Sequence, residues 1–178
     1  SSPSGASVWL AALCVPLSAK AEVLAEQLIR RHVVFMAAPH HHPAMRHAAG
    51  ARKVLALPTL FNLVGPMVNP AGVRRQLMGV YAPQWLRPVT EVLARLGSEC
   101  VWTVCGQPQD GQGGIDEITL AGPTQAVAFE NGQIQSYQIE PDMAGLPYAP
   151  VSGIKRGGAR HQAQAPESRP LYHFSQPR

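Results

Sequence analysis

Residues 83–106 read PQWLRPVTEVLARLGSECVWTVCG, and this stretch decides the fold class. In its first part Val89, Val92, Leu93 and Leu96 recur at helical spacing, and Gly97 supplies the stop. The second part, CVWTVCG, is a short, nearly continuous apolar run rich in β-branched and aromatic residues. Such a run predicts a buried strand. A helix leading directly into a buried strand is the repeating half of an α/β sheet.

Working outward, QLMGVYAP at 76–83 predicts another short strand before that helix. TQAVAFENGQIQSYQIEP at 124–141 alternates around Asn131-Gly132, two residues that tolerate the positive φ of a tight turn, and predicts a hairpin. Upstream, AKAEVLAEQLIRRH predicts a helix capped by Ser18. Ala21, Leu24, Ala25 and Leu28 share one face, and Arg30 and Arg31 suit the negative end of the dipole. VVFMAAP at 33–39 predicts a buried, parallel strand ending at Pro39, and HPAMRHAAGARKVLA predicts a helix with Pro43 at its first position. LPTLFNLVGPMVNPAG, with Gly65, Pro66, Pro70 and Gly72 among apolar residues, predicts a buried, kinked loop. The fold expected is α/β: a mostly parallel sheet flanked by helices, with a small antiparallel hairpin, over residues 1–150. Residues 151–178 lose all periodicity and are expected to form a loose tail.

Composition bounds the function. The chain has 178 residues, 46% hydrophobic and 15% charged, which suits a packed core rather than disorder. A net charge of +4 favours an acidic partner, such as a phosphate ester or a nucleic acid, without choosing between them. Cys14, Cys100 and Cys105 are odd in number and lack metal-ligand spacing, so they read as reduced thiols of a cytoplasmic protein. No apolar run reaches the roughly 18 residues of a membrane span. The chain starts without Met and has no basic leader before its first apolar patch, so it reads as the interior of something longer rather than a secreted precursor.

Candidate chemistry lies in three places. His40, His41 and His42 are consecutive, and neighbouring side chains diverge on a helix or strand, so the three do not close readily on one zinc. Arg52 and Lys53 can be plain solvated charges, but an arginine fork can also grip a carboxylate with two parallel hydrogen bonds. Asp116 and Glu117 follow a glycine-rich turn, where they are either a solvated turn or oxygen ligands for Mg²⁺ beside a substrate diphosphate. GxxxxGK[ST], GxGxxG and GxSxG are all absent. From the residues alone, the reading ends at an α/β protein with a small acidic or phosphorylated ligand.

HHPAMR from His41, LFNLVGPMVNPAGVRRQLMGVY from Leu60 and GIDEITLAGPT from Gly114 resemble the anthranilate phosphoribosyltransferase family, in matching order and with matching gaps over roughly residues 1–157. The resemblance implies transfer of phosphoribose from phosphoribosyl pyrophosphate to the amine of anthranilate, in tryptophan biosynthesis, with Mg²⁺ and a homodimer in the intact family. It implies an active site between a small helical domain and a larger α/β domain. By motif position Arg52 would hold the anthranilate carboxylate, His42 and Pro66 would line the anthranilate channel, and Asp116 and Glu117 would hold Mg²⁺. Ser2 and Ser4 would be the retained hydroxyls of a serine-rich loop near the phosphates. No protein nucleophile is implied.

The departures set a further expectation. The family's Gly-Thr-Gly-Gly-Asp and Lys-His-Gly-Asn segments and its helical domain are not in this chain, Ala6 stands where a phosphate-contacting serine is usual, and Gly157-Gly158 keeps only part of the C-terminal turn. The chain therefore reads as a C-terminal portion with an altered tail, expected to show little or no turnover alone. Two other readings stay open: a nucleic-acid-binding relative of the same fold, drawing on Arg30-Arg31 and Arg74-Arg75, and a nucleoside phosphorylase-like enzyme.

Overall fold

The computed structural model describes residues 20–36, 41, 60–109, 111 and 113–151. The chain divides into two compact units, Ser1–Ala37 with Arg156–Arg178, and Ala38–Lys155.

In the first unit, α1 spans Ala21–Arg31. Its cap is Lys20, which makes no side-chain capping bond; Ser18 lies outside the described residues. The helix ends at His32, whose left-handed φ of 57° directs its N–H to the Leu28 carbonyl at 2.9 Å. Arg30 pairs with Glu26 one turn away at 2.7 Å, the spacing that places two side chains side by side on a helix. The expected apolar face is only partly used: Leu24 is buried, while Ala21, Ala25 and Leu28 are exposed.

The strand expected at 33–39 is not formed where it is described. Val33–Met36 carry no regular structure, and Val33 is exposed. A run of apolar residues becomes a strand only where another strand offers its hydrogen-bonding edge, and the described residues of this first unit contain no strand. The helix expected over 42–56 and the tail over 152–178 lie outside the described residues.

The second unit carries the sheet. Its elements run α2 (Leu60–Met67), β1 (Arg75–Gly79), a 3₁₀ turn (Pro83–Trp85), α3 (Leu86–Arg95), β2 (Cys100–Gly106), β3 (Thr124–Glu130), β4 (Gln133–Ile139) and a second 3₁₀ turn (Pro141–Ala144). The spatial order is β1-β2-β3-β4. β1 and β2 run parallel, with Leu77 opposite Trp102, and α3 provides the crossover that parallel strands require. β2–β3 and β3–β4 are antiparallel. The α/β class is as expected, but "mostly parallel" is an approximation: among the described strands the sheet is mixed, with one parallel pairing and two antiparallel ones.

The hairpin turn sits where expected, with Asn131 and Gly132 at φ 52° and 76°. Gly97, at φ 92°, stops the α3 segment as its position predicts.

Residues 60–67 differ from expectation. They form a helix rather than a kinked loop, with Pro66 inside its last turn. Leu63 explains why: it is 2% exposed and belongs to the core with Met78, Val80, Leu86, Val89, Leu93, Val101, Cys105 and Val127. Burying that leucine holds the turns before Pro66, while the proline acts only where the helix is ending.

One polar feature crosses this core. Thr90 on α3 and Thr103 on β2 are both fully buried and share a hydrogen bond of 2.6 Å. The carbonyls of Leu86 and Val127 lie within hydrogen-bond reach of the same pair, so the two hydroxyl protons are shared among three contacts. Buried hydroxyls need such partners.

On the other face, Trp102 and Tyr137 stack with centroids 5.0 Å apart. The Trp102 indole donates to Glu130 at 2.9 Å.

Candidate active site

The parallel strands β1 and β2 both end in glycine, at Gly79 and Gly106. In open α/β sheets, ligands bind outside the carboxyl ends of such strands. The segment carrying Asp116 and Glu117 crosses both of these ends. Gly106 and Ile115 form an isolated antiparallel bridge, with N–H···O distances of 2.7 and 2.9 Å. A Cβ added to Gly79 would overlap the main-chain carbonyl of Asp116, and one added to Gly106 would meet the Glu117 carbonyl oxygen at 2.9 Å. Gly114 is equally close-set: a Cβ there would lie 2.5 Å from the Tyr81 carbonyl oxygen and 2.7 Å from the Cys105 sulfur.

The rest of the loop is tied down behind the acidic pair. Gln107 donates to the Pro123 carbonyl at 2.8 Å and Gln109 to that of Ala121 at 3.0 Å. The Thr119 N–H donates to Thr124 Oγ1 at 3.1 Å.

Both acidic side chains are exposed, and no described cation lies within ion-pair distance of either. No third His, Cys, Asp or Glu joins them in a metal-sized cluster among the described residues. A closed zinc site needs four protein ligands, so this donor set does not suit one. It does suit Mg²⁺, which takes one or two carboxylates and leaves its other positions for water and substrate phosphate. Beneath the pair, Cys105 is fully buried. Burial pushes its thiol above the ordinary value, and the Asp116 charge adds to that rise.

Ser2, Ser4, His42 and Arg52 lie outside the described residues. His41 is half-buried, and its Nε2 has no hydrogen-bond partner among them. Pro66 is described, but not beside the carboxylates. It lines a groove of about 140 Å³ together with Asn69, Arg74, Gln76 and Ser98, at the start of β1 rather than its end. Arg74 and Arg75 both reach Glu99, at 2.9 and 3.4 Å. That shared acid offsets the basic pair on which a nucleic-acid reading drew.

Sequence reasoning missed the glycines. The signal was present: the strands RQLMG and CVWTVCG each close on one, and a glycine in a strand often marks another backbone passing close by.

A family model described as "Glycosyl transferase family, a/b domain" matches residues 1–168. The chain belongs to that family.

Relatives within this glycosyl transferase family narrow the likeness. The chain is 50% identical over 165 residues to an anthranilate phosphoribosyltransferase of Gluconobacter oxydans, covering 93% of this chain and 45% of the relative. It is 46% identical over 165 residues to the enzyme of that name from Rhodopseudomonas palustris, covering 93% and 47%. The resemblance read from HHPAMR, FNLVGPMVNPAG and GIDE is therefore borne out. Among solved structures, the anthranilate phosphoribosyltransferase of Saccharomyces cerevisiae in complex with 4-fluoroanthranilate superposes with a TM-score of 0.74 at 26% identity, covering 90% of this chain and 44% of that one. The same yeast enzyme in complex with PRPP and Mg gives 0.71 at 27%, with the same coverage. The chain thus spans about half the length of the relatives it matches.

Proposed function

We propose that this chain is the acceptor and metal side of an anthranilate phosphoribosyltransferase. The observation that carries the proposal is the seating of Asp116 and Glu117 across the carboxyl ends of β1 and β2, in a chain 46–50% identical to enzymes of that name.

In the reaction, the C1–oxygen bond to pyrophosphate breaks and a C1–nitrogen bond to the anthranilate amine forms. A proton leaves the nitrogen, and pyrophosphate departs. Mg²⁺, when bound, neutralises charge that gathers on the departing pyrophosphate. Asp116 and Glu117 would hold that ion, a use supported by the Mg named in the yeast complex with PRPP. Arg52 would clamp the anthranilate carboxylate, His42 and Pro66 would flank the ring, and Ser2 and Ser4 would donate to phosphate. Their shared work is to hold amine and C1 in line, which removes an entropic barrier without a protein nucleophile. The unpaired thiols Cys100 and Cys105 suit a cytoplasmic setting. The longer protein would act as a homodimer, and the 178 residues alone would turn over weakly or not at all.

The test is a fluorescence titration of anthranilate into this chain and into its Arg52→Ala variant. Saturable binding that the substitution removes supports the proposal. A cooperatively folding chain that binds no anthranilate, or binds it equally well without Arg52, overturns the acceptor assignment. Phosphorolysis of a pyrimidine nucleoside by this chain would favour the phosphorylase reading.

A further inference from the structure

Two neighbouring parallel strands end in glycine, and a different main-chain carbonyl of the acidic segment fills the space beyond each. At Gly79 the obstacle is the Asp116 carbonyl group. At Gly106 it is the Glu117 carbonyl oxygen at 2.9 Å, together with the Thr119 methyl at 2.6 Å. Backbone atoms cannot rotate aside as a side chain can, so a methyl at either position moves the segment itself. The Gly106–Ile115 bridge fixes that segment one residue before Asp116, and the shift would therefore pass to the two carboxylates.

We propose that Gly79 and Gly106 are positioning residues for the Mg²⁺·pyrophosphate ligands: their missing side chains form the seat that sets the height and spacing of Asp116 and Glu117 above the strand ends. The proposal rests on the reading of those two carboxylates as metal ligands. Each glycine would act through the backbone that carries a ligand, and not by contact of its own with metal or substrate. Carboxylates shared with a diphosphate must sit within about half an ångström of productive geometry, and supporting residues of this kind change metal affinity by about 10–100-fold.

The experiment uses the 178-residue chain with Mn²⁺ and inorganic pyrophosphate as probe, reading bound Mn²⁺ by electron paramagnetic resonance. A thermal melt and hydrogen exchange at the Ile115 amide are read alongside. Asp116→Asn/Glu117→Gln tests the underlying reading by itself: if the wild type binds no Mn²⁺·pyrophosphate, or the double variant binds as well as wild type, that reading fails and the proposal with it. Given a working site, Gly79→Ala should weaken binding about tenfold or more and speed exchange at Ile115 while a cooperative melt remains. Gly106→Ala/Thr119→Ser removes the clashing methyl but keeps the hydroxyl's acceptor role toward the Ala121 N–H, so the Glu117 carbonyl oxygen at 2.9 Å becomes the nearest encounter, with the residue-119 Cβ at 3.1 Å the only other one. It should weaken binding likewise, and it decides the matter if Gly79→Ala does not fold. Gly65→Ala, where a Cβ meets nothing within 4 Å, is the control and should bind as wild type. Folded Gly79→Ala and Gly106→Ala/Thr119→Ser chains that match this control in affinity would overturn the proposal.

Discussion

Thr90 on α3 and Thr103 on β2 meet hydroxyl to hydroxyl at 2.6 Å with no exposed surface on either residue. Replacing one by valine removes the hydroxyl–hydroxyl bond and leaves a single proton to serve the Leu86 and Val127 carbonyls. Thr103→Val should destabilise by about 1–3 kcal/mol, and Thr90→Val similarly. Thr90→Val/Thr103→Val should cost less than the sum, because both ends of the shared bond are gone. Urea unfolding of the three variants measures the coupling. Strict additivity would mean that the two hydroxyls do not depend on each other.

Gly132 holds a φ of 76° and Asn131 one of 52° in the β3–β4 turn. A left-handed conformation costs an ordinary L-residue about 1–2 kcal/mol. Gly132→Ala should lower the unfolding free energy by that amount, and Asn131→Gly should be neutral or mildly favourable. Equilibrium denaturation checks both.

Cys100 is half-buried, with its sulfur 3.4 Å from a Glu130 carboxylate oxygen. Burial, and then the hydrogen bond and charge of Glu130, push its thiol above the ordinary 9.0, while Arg75 pulls the other way. The folded chain thus keeps the neutral thiol longer than the unfolded chain does. The stability involved is fully present below pH 9.0 and is lost as pH rises through the elevated value. Alkylation of Cys100, followed by mass spectrometry against pH, should run late, and Glu130→Gln should move the profile towards lower pH. An unmoved profile would remove Glu130 as a cause.

Arg74 and Arg75 share Glu99 on an exposed surface. Exposed pairs contribute little, so Glu99→Gln should change stability by less than about 1 kcal/mol. The shared acid takes the arginine pair from two net charges to one. The chain should show only weak, salt-sensitive retention on duplex DNA, and Glu99→Gln should strengthen it slightly. Strong wild-type retention would revive the nucleic-acid reading.

Much of this protein was legible in its residues. The helix ending before Gly97, the strand CVWTVCG and the turn at Asn131-Gly132 are set by local chemistry: the period of apolar side chains, β-branching, and tolerance of positive φ. The motifs GIDE and FNLVGPMVNPAG carried the family, because a long string of specific residues has no common alternative source. Other features were decided only by tertiary structure. Leu60–Met67 is helical because Leu63 is buried in the core, despite Gly65 and Pro66. Val33–Met36 is not a strand where it is described, because a strand needs an edge to pair with and the described residues of its own unit contain no other strand. The same holds for the site. The sequence placed Asp116 and Glu117 side by side, but adjacency in the chain does not say what lies beneath. Only the fold brings Gly79 and Gly106, far away in sequence, under their carbonyls, because close packing of backbone on backbone is a property of the assembled sheet and has no local signature beyond the glycines themselves.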